Sequence, residues 1–206
     1  MKTTIYLVRH GETEWNTERR YQGSGDSPLT KRGIEQAYLL KEYLKKIKFD
    51  FVLSSPSNRA FHTAAIASGH DPDKIIIIKE LQEINLGKWE GKLYDEMQKE
   101  NPFLYHAFWK APHLFISEGC ESFTALTLRT FKAFSAIIEK FSGKTILIVS
   151  HAAALMSILN KIENRPLERF WEKMLKQTSV SIVEIDNNKF SVLEYGSIPH
   201  LLETKN

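Results

Sequence analysis

Cysteine is nearly missing from this chain. Its 206 residues include one, Cys120, so no disulfide can close within it, and a reducing compartment fits. Histidine and cysteine nowhere cluster at zinc-like spacing, so no structural metal is expected. No apolar run approaches the roughly 20 residues that cross a bilayer. The opening Met1-Lys2-Thr3-Thr4 leads straight into a strand, without a secretory apolar region or cleavage site. Neither Gly-x-Gly-x-x-Gly nor a P-loop occurs, which argues against an unrelated nucleotide-binding α/β protein. Repeats, low-complexity tracts and flexible interdomain linkers are lacking as well. A charge excess of one sign is also wanting: the formal balance of +3 is too small to argue for nucleic acid or a membrane surface. These absences leave a cytoplasmic, soluble protein, one domain over residues 1–206, long enough to bury a substantial core.

What the chain does have is the stretch Ile5-Tyr6-Leu7-Val8-Arg9-His10-Gly11-Glu12-Thr13-Glu14-Trp15-Asn16. An apolar run stops abruptly at arginine, histidine and glycine, as a buried strand does when it delivers its last residues to a site at its carboxyl end. Gly11 lets the backbone turn tightly and approach a ligand. Arg9 carries a fork of donors suited to phosphate, and His10 is nucleophilic when neutral. Alone, the tripeptide reads as a strand ending in a polar loop; the rest of the chain supplies its partners.

Residues 17–27 are polar, contain Gly23 and Gly25, and predict a loop offering Arg19, Arg20 and Gln22, with Arg19 solvated. Thr30 is expected to cap a helix whose apolar face holds Ala37, Leu40 and Leu44. Residues 49–53 predict a second strand. After it, Ser54-Ser55-Pro56 reads as a serine cap with proline at the first helical position. That places Arg59 in the first turns, where helix N–H groups and an arginine together attract anions, while His62 falls on the helix surface. Four isoleucines, residues 75–78, predict a third strand buried on both faces. The loop 81–91 has two glycines and Trp89 and is stiff enough to hold a carboxylate, Glu83 or Glu90. A short helix over 94–100 stops at Asn101-Pro102. Phe103, Tyr105, Phe108, Trp109 and Phe115 then suggest a subdomain with its own small core, an insertion at about 92–120. His106 and His113 lie there without metal-like spacing. Residues 122–141 form a long helix ending at Ser142-Gly143. Residues 145–149 form a fourth strand, with Ser150-His151 at its carboxyl end and a helix from Ala152 aiming free N–H groups at the same region. Residues 179–195 make a hairpin turning at Asp186-Asn187-Asn188-Lys189, and His200 reads as peripheral.

This order predicts a three-layer α/β/α sandwich with a mostly parallel mixed sheet, an antiparallel edge hairpin and a small aromatic-rich helical insertion over the site. Strand carboxyl ends share one face in such folds, so chain order alone gathers Arg9, His10, Arg59 and His151, with Glu83 shortly after another strand.

The run from Arg9 to Asn16 resembles, position for position, the Arg-His-Gly-Glu-Thr-x-x-Asn pattern of the histidine phosphatase superfamily, whose best-known branch is the cofactor-dependent phosphoglycerate mutases. Three further runs are similar to that family: Arg20-x-Gln22-Gly23-x-x-Asp26-x-Pro28-Leu29-Thr30-x-x-Gly33-x-x-Gln36-Ala37, Ser54-Ser55-Pro56-x-x-Arg59-Ala60-x-x-Thr63-Ala64, and Leu81-x-Glu83-x-x-x-Gly87-x-Trp89-Glu90-Gly91. The last resembles the segment that carries the family's proton donor, which falls on Glu83, with Glu90 as runner-up. Two positions depart from the pattern. Cys120 interrupts the Gly-Glu-Ser element in Glu118-Gly119-Cys120-Glu121-Ser122 and is read as structural, and Ala152 stands where the family usually has glycine.

The resemblance implies roles. His10 would attack phosphorus in line and become a phosphohistidine. Arg9, Arg59 and His151, with Asn16, would stabilise the transferring oxygens. Glu83 would protonate the leaving oxygen and then deprotonate water. Gln22, Gly23 and Ala152 would be further phosphate or substrate contacts, and the insertion would cap the pocket and help select substrate. Arginines can do the electrostatic work of magnesium, so neither metal nor other cofactor is implied. The chain is shorter than typical mutases of the family and lacks their basic motifs for a second phosphate. The expected activity is therefore hydrolysis of phosphomonoesters, with broad specificity for small phosphorylated metabolites. A cofactor-dependent phosphoglycerate mutase is the alternative; a non-catalytic phospho-ligand binder is disfavoured because His10 and Glu83 are both present. The expected partner is a small-molecule phosphomonoester, with no nucleic acid, no membrane, and a homodimer as the one assembly to consider.

Overall fold

The apolar runs become six strands and the amphipathic segments eight helices among residues 1–202, the part of the chain described by the computed structural model. The strands are β1 (Thr3–Arg9), β2 (Phe51–Ser54), β3 (Ile76–Ile77), β4 (Thr145–Ser150), β5 (Val180–Asp186) and β6 (Lys189–Ser197), in the sheet order β3-β2-β4-β1-β5-β6. The four from β3 to β1 run parallel, while β5 and β6 are antiparallel additions at the β1 side. β1 and β4 are central and covered on both faces, which is why their sequences are continuous apolar runs. Asn187 (φ 48°) and Asn188 (φ 63°) are both left-handed, the conformation that a two-residue hairpin turn requires.

The helices are α1 (Glu14–Thr17), α2 (Lys31–Leu44), α3 (Asn58–Ser68), α4 (Tyr94–Glu100), α5 (Pro102–Lys110), α6 (Phe123–Lys140), α7 (Ala152–Ile162) and α8 (Pro199–Leu202). α2 and α3 cover one face: Leu40, Leu44, Ala60 and Ala64 pack with Val8, Val52, Leu147 and Val149. α6 and α7 cover the other: Phe123, Leu126, Phe134 and Leu155 pack with Ile5, Leu7, Ile146 and Ile148. The three-layer α/β/α arrangement follows. Thr30 caps α2 by accepting from the Gly33 N–H (2.9 Å), and Ser122 caps α6 by accepting from the Ala125 N–H (3.2 Å).

Three expectations need correction. The isoleucine run 75–78 yields only the two-residue edge strand β3, and Ile77 is 46% exposed rather than buried. α3 begins at Asn58 behind Ser57 rather than at Pro56. Ser54 stays in β2, and the Ser55 and Ser57 hydroxyls are spent on a histidine, so no serine hydroxyl caps the helix. The aromatics of 103–115 do not pack a separate small core either: Phe108 and Phe115 belong to the same buried cluster as Ile5 and Phe123. Phe108 alone stands within ring-stacking range of Tyr21, Trp89, Phe115, Phe123 and Trp171.

Candidate active site

β1 and β4 are adjacent and parallel, so Arg9 pairs with Ser150, and the residues beyond them, His10 and His151, meet with ring centres 5.2 Å apart. The turn after His10 lies so close to α2 that a Cβ on Gly11 would sit 2.5 Å from the Gly33 carbonyl oxygen, and one on Gly33 would sit 2.0 Å from that of Glu12. Both positions need glycine. His10 Nδ1 lies 2.7 Å from the carbonyl oxygen of Gly11. A carbonyl only accepts, so Nδ1 carries the proton and Nε2 keeps its lone pair. Burial, then the charges of Arg59 and Arg9, hold the His10 imidazole well below its usual pKa. His151 is fully buried and likewise held neutral, chiefly by burial, with its Nε2 against the hydroxyls of Ser55 (2.7 Å) and Ser57 (3.3 Å).

Arg9 donates to the Leu175 carbonyl (2.7 Å). Arg59, only 1% exposed, donates to the carbonyls of Gly23 (2.8 Å) and Gly25 (2.7 Å) and to Asp26 (3.0 Å). The other Asp26 carboxylate oxygen accepts from the Asn58 N–H (2.6 Å), so the start of α3 already holds a carboxylate. The start of α7 is occupied in the same way. Glu83 accepts from the N–H groups of Ala153 (3.0 Å) and Ala154 (2.9 Å), and from its neighbour Ile84 (3.0 Å). Burial penalises the charged form and outweighs these donors, so the Glu83 carboxyl titrates above its usual range. The anion-attracting helix ends expected from the sequence thus receive the protein's own carboxylates.

A cavity of about 230 Å³ opens beside His10, lined also by Arg9, Asn16, Gln22, Glu83 and Ala152. Arg59 and His151 are buried and not among its lining residues, the His151 ring lying next to that of His10. Asn16 completes the capping box of α1 with Thr13, its amide oxygen accepting from the Thr13 N–H (3.2 Å), and its amide nitrogen donates to the Gln22 amide oxygen (3.4 Å). Gly23 contributes its carbonyl to Arg59 rather than a surface to the cavity. Glu90 points elsewhere, accepting from Ser24, Gly25 and Leu86 and tying two loops together. Arg20 turns to the Gly91 carbonyl (2.7 Å) and Glu18, while Arg19, His62, His106 and His113 are on the surface. Cys120 donates to the Leu86 carbonyl (3.0 Å), and burial raises its thiol pKa.

The far wall of the cavity is aromatic: Tyr21, Tyr94, Phe108, Trp109 and Trp171, with Met174. Trp109 and Phe108 come from the expected insertion. Tyr21, Trp171 and Met174 were not singled out from sequence, and neither was Thr178, whose N–H donates to the carbonyls of Arg9 (3.0 Å) and His10 (3.3 Å). Thr178 does so from φ 52°, a costly angle for a β-branched residue. His200 is not peripheral but 5% exposed, with Nε2 3.1 Å from the Thr178 hydroxyl. The available signal was the Phe170-Trp171 pair, whose bulk in an otherwise polar stretch asks for a buried partner. Around His10, four buried donor or ring nitrogens have no hydrogen-bond partner among the described residues: Arg9 Nε, Gln22 Nε2, Arg59 Nε and His151 Nδ1. No three His, Cys, Asp or Glu side chains among the described residues group closely enough to hold a metal ion, and no described helix is long and apolar enough to cross a membrane.

Fold and site together define an α/β protein with a neutral histidine and two arginines gathered at the carboxyl ends of parallel strands. The chain belongs to the histidine phosphatase superfamily (branch 1), whose family-wide sequence profile matches residues 5–198. It is similar to the solved structure of Bacillus stearothermophilus YhfR, with a TM-score of 0.93 and 38% identity over 97% of this chain and 99% of that one. Adenosylcobalamin/alpha-ribazole phosphatase of Escherichia coli (strain K12) is 33% identical over 189 residues, 92% of this chain and 93% of its own length. Phosphoglycerate mutase-like protein 4 of Arabidopsis thaliana is 36% identical over 204 residues, 97% of this chain and 87% of its own length.

Proposed function

We propose that this protein hydrolyses small phosphomonoesters through a phosphohistidine on His10, without a metal. The observation that carries the reading is the set of unpartnered nitrogens on Arg9, Gln22, Arg59 and His151 around an unprotonated His10 Nε2. Buried donors are normally satisfied, and a phosphoryl group brings several acceptor oxygens at once. His10 Nε2 attacks phosphorus, the P–O bond to the leaving group breaks, and Glu83 gives its proton to the departing oxygen. Glu83 then takes a proton from water, which attacks the phosphohistidine, releases phosphate and returns His10. Arg9, Arg59, His151, Asn16 and Gln22 hold the three equatorial oxygens. Gly23 and Ala152 serve by backbone, one holding Arg59 and the other bringing the chain close to the cavity.

Hydrolysis is favoured over a mutase by the cavity lining. Beyond Arg9, the described residues give it no cationic side chain, so its far wall offers a second phosphate aromatic rings rather than positive charge. The name of the Arabidopsis relative keeps the mutase as the alternative. Substrates are expected to be small metabolites with variable, uncharged leaving groups, in the cytoplasm, with no nucleic-acid or membrane partner. A homodimer is the one assembly to consider, and every residue named above comes from one chain. The test is rapid quenching with labelled phosphomonoester in excess EDTA. Label should appear on wild type, be released by acid and resist base, and be absent from His10→Ala. Label that survives acid, persists in His10→Ala, or needs added metal would overturn the reading.

A further inference from the structure

We propose that Arg129 is a positioning residue for Glu83, acting through the backbone of the loop that carries it. The proposal rests on the reading of Glu83 as the proton donor. Arg129 lies on α6, and all five of its N–H donors are engaged. Nη1 donates to the carbonyls of Glu80 (2.7 Å) and Gln82 (3.1 Å). Nη2 donates to the carbonyl of Glu83 itself (3.4 Å) and to Glu121 Oε2 (2.7 Å), and Nε donates to Glu121 Oε1 (2.9 Å). Glu121 grips the same loop in turn: its Oε2 accepts from the Asn85 N–H (3.3 Å), and its own N–H donates to the Asn85 carbonyl (2.7 Å). A single ion pair therefore fixes the main chain of Glu80, Gln82, Glu83 and Asn85.

This loop has no sheet or long helix to define it, only a 3₁₀ turn at Lys79–Leu81 and another at Gly87–Trp89. From inside it is held by the Ser150 hydroxyl on the Leu81 carbonyl (2.6 Å). From outside, Arg129 and Glu121 hold it along a polar groove of about 670 Å³ that also exposes part of Glu83. Neither Arg129 nor Glu121 lines the cavity beside His10. A change at Arg129 reaches the chemistry by moving Glu83, and a displacement of a proton donor matters only when the leaving oxygen needs a proton.

The test compares single-turnover phosphorylation of the protein by an alkyl phosphate and by nitrophenyl phosphate, whose leaving group departs largely unaided. Arg129→Met should slow the alkyl phosphate about ten- to hundredfold and the nitrophenyl ester less than about twofold. Arg129→Lys should do nearly the same, since three donors on one nitrogen cannot span four carbonyl and carboxylate partners. In the Glu83→Gln background, Arg129→Met should slow the alkyl ester no further. Equal slowing of both esters, or an undiminished alkyl rate, overturns the proposal while leaving Glu83 as the acid. If Glu83→Gln itself lacks the contrast, the acid assignment falls, and this inference falls with it. Should Arg129→Met fail to fold, Glu121→Gln carries the same comparison: it keeps the Asn85 contacts but weakens the grip on Arg129. A contrast in the same direction is expected, and its absence in a folded Glu121→Gln overturns the proposal.

Discussion

Glu83 stands between opposed influences. Three backbone N–H groups favour its charged form, and burial favours the neutral one. Burial prevails, so the carboxyl keeps its proton to higher pH than an exposed glutamate does, while His10 sheds its proton at lower pH than a free imidazole does. Phosphorylation needs His10 neutral, so its rate rises as pH climbs through the lowered His10 value. With an alkyl phosphate it also needs Glu83 protonated, so the rate falls as pH climbs through the raised Glu83 value. Glu83→Gln should lose that falling limb and slow the alkyl ester by about 10²- to 10⁴-fold, with little effect on nitrophenyl phosphate. Single-turnover bursts against pH measure this, and the ratio of wild type to Glu83→Gln on the same ester cancels the ionisation of the phosphate itself. Equal slowing would remove Glu83 as the acid. Glu90 could not replace it in place, being bound to Ser24, Gly25 and Leu86.

Among the elements, α2 is the one pressed hardest against the reactive turn. Gly33 abuts Glu12, Gln36 accepts from the Glu12 N–H (2.9 Å), and the Thr30 hydroxyl donates to the Glu12 carboxylate (2.9 Å). Gly33→Ala must push this helix and the turn apart. It is expected to lower stability by about 1–3 kcal/mol, read from urea unfolding, and to slow alkyl and nitrophenyl esters alike, since it shifts His10 rather than the acid. A selective loss with the alkyl ester would count against this account. Element ends also divide what was legible in the sequence from what was not. Arg9-His10 and Ser150-His151 could be read because each closes an uninterrupted apolar run, and parallel pairing of β1 with β4 then brings them together. The start of α3 could not, because Ser54-Ser55-Pro56 looks like a capped helix start, yet Ser54 stays in β2 and the Ser55 hydroxyl bonds to His151, 96 positions away in sequence. Glu83 could be named only by resemblance: its partners on α7 are set by tertiary packing, which loop composition does not encode. Trp171 and Met174 escaped for the same reason.

For the molecule as a whole, neutral burial of histidine links stability to acid. His10 and His151 are held well below their ordinary pKa, and burial lowers His200 to about 4. Unfolding would return all three to about 6.5. Below that pH the unfolded chain binds more protons than the folded one, so stability falls with acidification. Glu83 has the opposite sign: its raised value lets the folded state take up a proton first, which restores part of the loss as pH falls through that value. The urea midpoint is expected to drop between about pH 7 and pH 5, and His200→Gln should flatten the drop without abolishing it. An unchanged slope would show that His200 is not among the groups responsible.

The seating of Glu83 on the first turn of α7 has one further consequence. An acid that gives up a proton where it is largely buried leaves a conjugate base with little water to solvate it. Here the amides of Ile84, Ala153 and Ala154 stand in contact before the proton departs. Two of them are oriented by the helix itself and the third by the loop next to Glu83, so nothing has to reorganise to receive the anion. The glutamate carries its own solvent shell, made of backbone.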